Sequence, residues 1–77
     1  MVYIDVRTDE EYNEKHKPGA IHHNIELMMD GKFPDLEKDT PVVLYCRSGG
    51  RAGRAKTLMQ NAGFTNVTNG GGLDDVI

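Results

Sequence analysis

The chain has 77 residues, a net charge of −3 and one cysteine, which leaves room for one domain over residues 1–77 with a small core, burying roughly 60% of its unfolded surface. Mild acidity with three tyrosines, two phenylalanines and no tryptophan argues against a nucleic-acid stacking surface. No apolar run approaches the ~20 residues of a membrane span, and Met1-Val2-Tyr3-Ile4-Asp5 lacks the basic-then-apolar order of an export signal.

Val2-Tyr3-Ile4-Asp5-Val6 alternates and is β-branched and aromatic, which predicts a strand ended by Arg7. Thr8-Asp9-Glu10-Glu11 spells a capping box, opening a helix to about His16 that Lys17-Pro18-Gly19 stops. Ala20-Ile21-His22-His23 reads as a brief second strand, and Asn24 caps a short helix over Ile25 to Met29, broken at Asp30-Gly31. Lys32 to Thr40 is a surface connection. Val42 to Tyr45 is apolar throughout, as in a central parallel strand covered on both faces. Arg51 to Asn61 is helical, with Ala52, Ala55, Leu58, Met59 and Ala62 facing the core and Gly63 as the stop. A last strand, Asn66-Val67-Thr68, runs into Asn69-Gly70-Gly71-Gly72. This order predicts a small α/β fold: a mainly parallel central sheet of about four strands flanked by helices.

In such sheets ligands sit beyond the carboxyl ends of the strands, where Cys46 lies. The loop Cys46-Arg47-Ser48-Gly49-Gly50-Arg51-Ala52 leads straight into a helix, so its amides can form an anion nest backed by the helix dipole. Such a field lowers a thiol into a range of ~3.5–7.5 and stabilises a sulfur anion or oxyanion carried on it. Gly49 and Gly50 let the backbone approach, Ser48 adds a hydroxyl, Arg51 can fork onto two oxygens of an anion, and Arg47 screens the mouth. Arg54 and Lys56 extend this local positive spot on an acidic chain, with Lys56 read as solvated helix face. The loop has neither the lysine and hydroxyl of an NTPase phosphate loop nor the dinucleotide glycine spacing, and no second cysteine two places on makes it a redox dithiol.

Ile4-Asp5-Val6-Arg7, Glu11-Tyr12, His16-Lys17-Pro18-Gly19-Ala20-Ile21, Leu44 to Ala52, Gly63-Phe64-Thr65-Asn66-Val67 and Gly71-Gly72-Leu73 together resemble a rhodanese domain, in order over nearly the whole chain. The likeness is greatest to small single-domain sulfurtransferases of the phage-shock E type. It implies a thiosulfate sulfurtransferase without a cofactor, in which Cys46 takes the sulfane sulfur of thiosulfate, releases sulfite and passes its persulfide sulfur to cyanide, a thiol or a protein acceptor. It further implies that Arg47, Ser48, Gly49, Gly50, Arg51 and Ala52 bind substrate, that Asp5 and Arg7 form a framework salt bridge behind the loop, and that Gly71 and Gly72 belong to a second signature. An aromatic often follows that signature; Asp74-Asp75-Val76 stands here instead. The chain begins at what is usually the second strand of the family. The expected state is a monomer with neither nucleic-acid nor membrane partners. A reactive thiol persists best in a reducing compartment, so the cytoplasm is expected, or the periplasm if a signal segment was removed.

A related loop builds cysteine phosphatases and arsenate reductases, where five residues separate Cys from Arg; here four separate Cys46 from Arg51. The tighter ring suits a sulfur atom better than a phosphate, and no aspartate is placed as general acid. A non-enzymatic binding or sulfur-carrier module is the other alternative, against which the loop's intact cysteine, glycines and arginine speak. No metal site is expected of His16, His22 and His23, because His22 and His23 face opposite sides of a strand. Met28 and Met29 read as core filling or surface cover.

Overall fold

The alternation at the amino end forms strand β1 (Val2–Asp5) in the computed structural model, which describes residues 1–77. There follow α1 (Asp9–Glu14), β2 (Ile21–His22), α2 (Ile25–Met29), β3 (Val42–Cys46), α3 (Gly50–Asn61), β4 (Val67–Gly72) and α4 (Leu73–Val76). The strands lie in the order β2-β1-β3-β4 and every neighbouring pair is parallel. Parallel neighbours cannot be joined by tight hairpins, so longer connections must cross over the sheet, and α1, α2 and α3 lie within them. The fold is the small α/β architecture that the order of strand and helix signals predicts.

β3 is central, and its two-residue period sorts the faces. Val42, Leu44 and Cys46 join Ile4 in the larger core, which meets Ile25 and Met28 of α2 and Ala52, Ala55 and Met59 of α3. Leu58 and Ala62 are partly buried against the same cluster. Tyr45 turns to the opposite face and packs with Ala20 and Leu73, a much smaller cluster beside α4. The thiol therefore starts on the face that α3 covers.

Both halves of the capping box are made: the Glu11 N–H donates to Thr8 Oγ1 at 3.3 Å, and the Thr8 N–H to Glu11 Oε1 at 3.2 Å. α3 ends in a Schellman motif, with the Phe64 N–H on the Met59 carbonyl, the Gly63 N–H on that of Gln60, both at 3.0 Å, and Gly63 at φ +102°.

Several boundaries differ from those predicted. α1 stops at Glu14 rather than His16, because Lys15 turns extended and its carbonyl accepts from Arg7 Nη2 at 2.5 Å. β1 ends at Asp5, although the Val6 N–H still reaches the Tyr45 carbonyl at 3.2 Å. β2 is two residues long, shorter than the four predicted. β4 runs on to Gly72, four residues past the predicted strand, after a register shift between Leu44 and Cys46 that pairs Cys46 with Gly72. α4 was not predicted; four residues with two aspartates give too little periodicity to find.

Asp5 and Arg7 are the buried polar side chains of the structure, 0% and 6% exposed. Arg7 Nη2 donates to Asp5 Oδ2 at 2.7 Å, and both Arg7 Nε and the Arg7 N–H donate to Asp5 Oδ1 at 2.9 Å. Burial pushes the Asp5 carboxyl up, but the hydrogen bonds from Arg7 outweigh it and the group lies below its ordinary 3.8. A depressed carboxyl stabilises the fold above its unfolded pKa and loses that contribution as pH falls through the folded value. Urea midpoints are therefore expected to fall as pH drops below 3.8, with a flatter acid limb in Asp5→Asn. At pH 7, Arg7→Met strands a buried carboxylate and is expected to lower unfolding free energy by about 3 kcal/mol, read from the same urea curves.

Candidate active site

Cys46 is the last residue of β3, 1% exposed, and Gly49 and Gly50 turn the chain into α3 above it. Gly49 takes φ +99°, a backbone shape that other residues rarely adopt. Its N–H donates to Cys46 Sγ at 3.0 Å. Burial raises the thiol pKa; the field of the loop's backbone N–H groups, those of Ala52, Ser48, Gly49 and Arg51, outweighs burial and holds the group below its ordinary 9.0. The loop thus supplies positive field through dipoles, at the amino end of a twelve-residue helix.

The side chains depart from the picture drawn from sequence. Gly50 has open space where a Cβ would stand and no positive φ, so the fold does not demand glycine there. Ala52 is wholly buried, Ser48 is exposed, and both contribute their amides. Arg51 does not point an unpaired fork at the sulfur: Nη1 and Nη2 donate to Glu11 Oε1 and Oε2 at 2.6 and 2.9 Å. Arg47 is exposed and lines a cavity of about 200 Å³ with Lys15, Glu14, Asp74, Leu73, Arg7 and Glu11. That cavity lies beside the loop, on the side of Arg47, and carries both signs of charge.

Three residues that support the loop were not singled out for it from sequence. Glu11 reads from sequence as a helix cap and as part of the family resemblance, with no sign that it pairs with Arg51. Asn69 donates through Nδ2 to the Gly49 carbonyl at 3.0 Å and accepts the Gly71 N–H on Oδ1 at 2.9 Å, bracing the turn from β4. Tyr45 accepts the Lys17 N–H on its hydroxyl at 3.1 Å, and burial pushes its pKa up to about 12. Gly72 is required by contact: a Cβ there would clash with the Arg47 carbonyl oxygen. The expected framework bridge of Asp5 and Arg7 is formed. Of the histidines, His16 and His22 stack on Tyr12 at 3.8 and 4.4 Å, while His23 Nε2 donates to the Lys32 carbonyl at 2.8 Å.

The fold and site define a parallel α/β protein with a buried cysteine at the carboxyl end of its central strand, beneath the amino end of a helix. Residues 1–75 match the rhodanese-like domain, and the chain belongs to that family. It is 36% identical over 77 residues to thiosulfate sulfurtransferase PspE of Escherichia coli K12, covering 96% of this chain and 72% of that protein. It is 42% identical over 72 residues to the tRNA sulfurtransferase of Desulfurococcus amylolyticus, covering 94% of this chain but 14% of that larger protein. Among solved structures, a rhodanese with anions from E. coli superposes with a TM-score of 0.83 at 33% identity, over 97% of this chain and 89% of that one. At the level of the family, the chain is a sulfurtransferase working through a cysteine. No helix is long and apolar enough to cross a membrane.

Two outcomes are expected of the site. The rate of Cys46 alkylation by iodoacetamide should rise with pH to a midpoint below 9.0, followed by intact mass. Gly72→Ala, whose added methyl meets backbone that cannot swing aside, should displace the Arg47 carbonyl and lower stability by about 2 kcal/mol, with altered amide NMR shifts at Ser48 and Gly49.

Proposed function

We propose that the chain is a thiosulfate sulfurtransferase that carries sulfur as a persulfide on Cys46. The observation that carries this reading is a buried Cys46 sulfur that accepts the Gly49 N–H at 3.0 Å beneath the amino end of α3, in a loop with only four residues between Cys46 and Arg51. The Cys46 thiolate attacks the outer sulfur of thiosulfate; a Cys46 S–S bond forms, the S–S bond of thiosulfate breaks, and sulfite leaves with the electron pair. The new terminal sulfur carries one negative charge, which the amides stabilise. Cyanide or a thiolate then attacks that sulfur, and Cys46 leaves as thiolate again. No proton need be delivered to a leaving group, which agrees with a loop that offers dipoles and no general acid. Arg47, exposed beside the cavity, is the residue suited to guide a donor anion inward. Ser48, Gly49, Gly50, Arg51 and Ala52 form the wall around the transferred sulfur, and the likeness to a thiosulfate sulfurtransferase of E. coli supports the same reading.

Intact mass before and after thiosulfate, then after cyanide, tests the reading on the chain and on Cys46→Ala. A gain of one sulfur atom that cyanide removes, absent in Cys46→Ala, is expected. No gain, with Cys46 still open to alkylation, would overturn it. Phosphoester hydrolysis in that case would favour the phosphatase chemistry that related loops perform.

A further inference from the structure

The loop arginine is already occupied. Arg51 meets Glu11 in a parallel two-bond fork, at 2.6 and 2.9 Å, from a helix 40 residues earlier in the chain. Glu11 is in turn held in place, because its Oε1 also accepts from the Thr8 N–H and Thr8 Oγ1 at 3.2 and 3.1 Å. Swinging the carboxylate away from Arg51 would therefore break the cap of α1 as well. The pair is partly buried, with side-chain exposures of 36% for Arg51 and 22% for Glu11, so the two charges face each other with reduced screening.

We propose that Glu11 sets the anion affinity of this site: by neutralising Arg51 it holds down the affinity of the Cys46 loop for dianions, thiosulfate included, and leaves the transferred sulfur to the backbone amides. Binding a dianion such as sulfate, phosphate or thiosulfate rewards net positive charge close by. A guanidinium forked onto a carboxylate retains outer N–H donors but little net charge for such a ligand. The Glu11 carboxyl lies at about 2, held down chiefly by its hydrogen bonds from Arg51, so it stays ionised through the working pH range and the neutralisation is not relieved there. Arg47 retains its charge but stands exposed at the mouth, beside Glu14 and Asp74 as well as Lys15. The residue read from its position as a helix cap thus also tunes the loop at the other end of its side chain. This inference deepens the sulfur-transfer reading where thiosulfate is concerned, while its sulfate arm is independent of turnover.

Glu11→Gln is the decisive variant, since glutamine serves equally in a capping box but carries no charge. Sodium sulfate is titrated at constant ionic strength, balanced with chloride, and followed by the amide NMR shifts of Ser48 to Ala52; thiosulfate KM is measured in parallel. Sulfate Kd and thiosulfate KM are both expected to fall by roughly fivefold in Glu11→Gln, the scale of one partly exposed ion pair. That gain should vanish on an Arg51→Ala background. Thr8→Ala, which breaks the cap but leaves the carboxylate, should not tighten sulfate. Unchanged or weaker sulfate binding in Glu11→Gln would overturn the proposal and leave Glu11 as a support that orients Arg51. A chain that never forms a persulfide would sink the sulfur-transfer reading while the sulfate titration still decided the role of Glu11.

Discussion

Asp5 and Arg7 leave water together at the carboxyl end of β1, and the segments around the loop are hung on that pair. Either charge alone would be intolerable at that depth, whereas the paired groups have most of their hydrogen-bonding capacity used. Arg7 reaches past Asp5 to the Lys15 carbonyl, which fixes where α1 ends. Its guanidinium stands 5.6 Å from the centre of the Tyr45 ring, and the Tyr45 hydroxyl receives the Lys17 N–H. The Arg7 carbonyl accepts from His22 Nε2 at 2.8 Å, tying down β2. One ion pair thereby positions the connection between β1 and β2 and the residue that precedes Cys46.

Over this scaffold the site separates two kinds of electrostatics. Close to the sulfur the field comes from peptide dipoles, which are fixed in direction and need no counter-ion. Formal charge lies one layer out, and there the structure cancels it: Arg51 against Glu11, Arg7 against Asp5. The thiol in this setting is lowered chiefly by backbone N–H groups, with the Arg51 charge coupled to it as well.

What could be read from sequence was whatever local chemistry decides. The capping box at Thr8, the Asn24 cap, the apolar run of β3, the face of α3 and the stop at Gly63 each depend on residues a few positions apart, and they lie where expected. The position of Cys46 was legible for the same reason. What was not legible depends on tertiary pairing. Nothing local to Glu11 marks it as the partner of Arg51, and nothing local to Asn69 marks it as a brace for Gly49. The three glycines after Asn69 fall outside the predicted strand because glycine is a poor strand former; they are strand because β3 draws them into register and the loop leaves no room for a side chain at Gly72.

The same crowding joins the two ends of the molecule's central ladder. Gly72 lies opposite Cys46 and presses against the Arg47 backbone, while its own N–H is held by Asp75 of α4 at 2.8 Å. Asn69 completes the connection from the strand to the turn. The final strand, the short helix after it and the cysteine loop are consequently held to one another through Gly72 and Asn69. Any displacement of α4 is thereby passed through Gly72 to the backbone that follows Cys46.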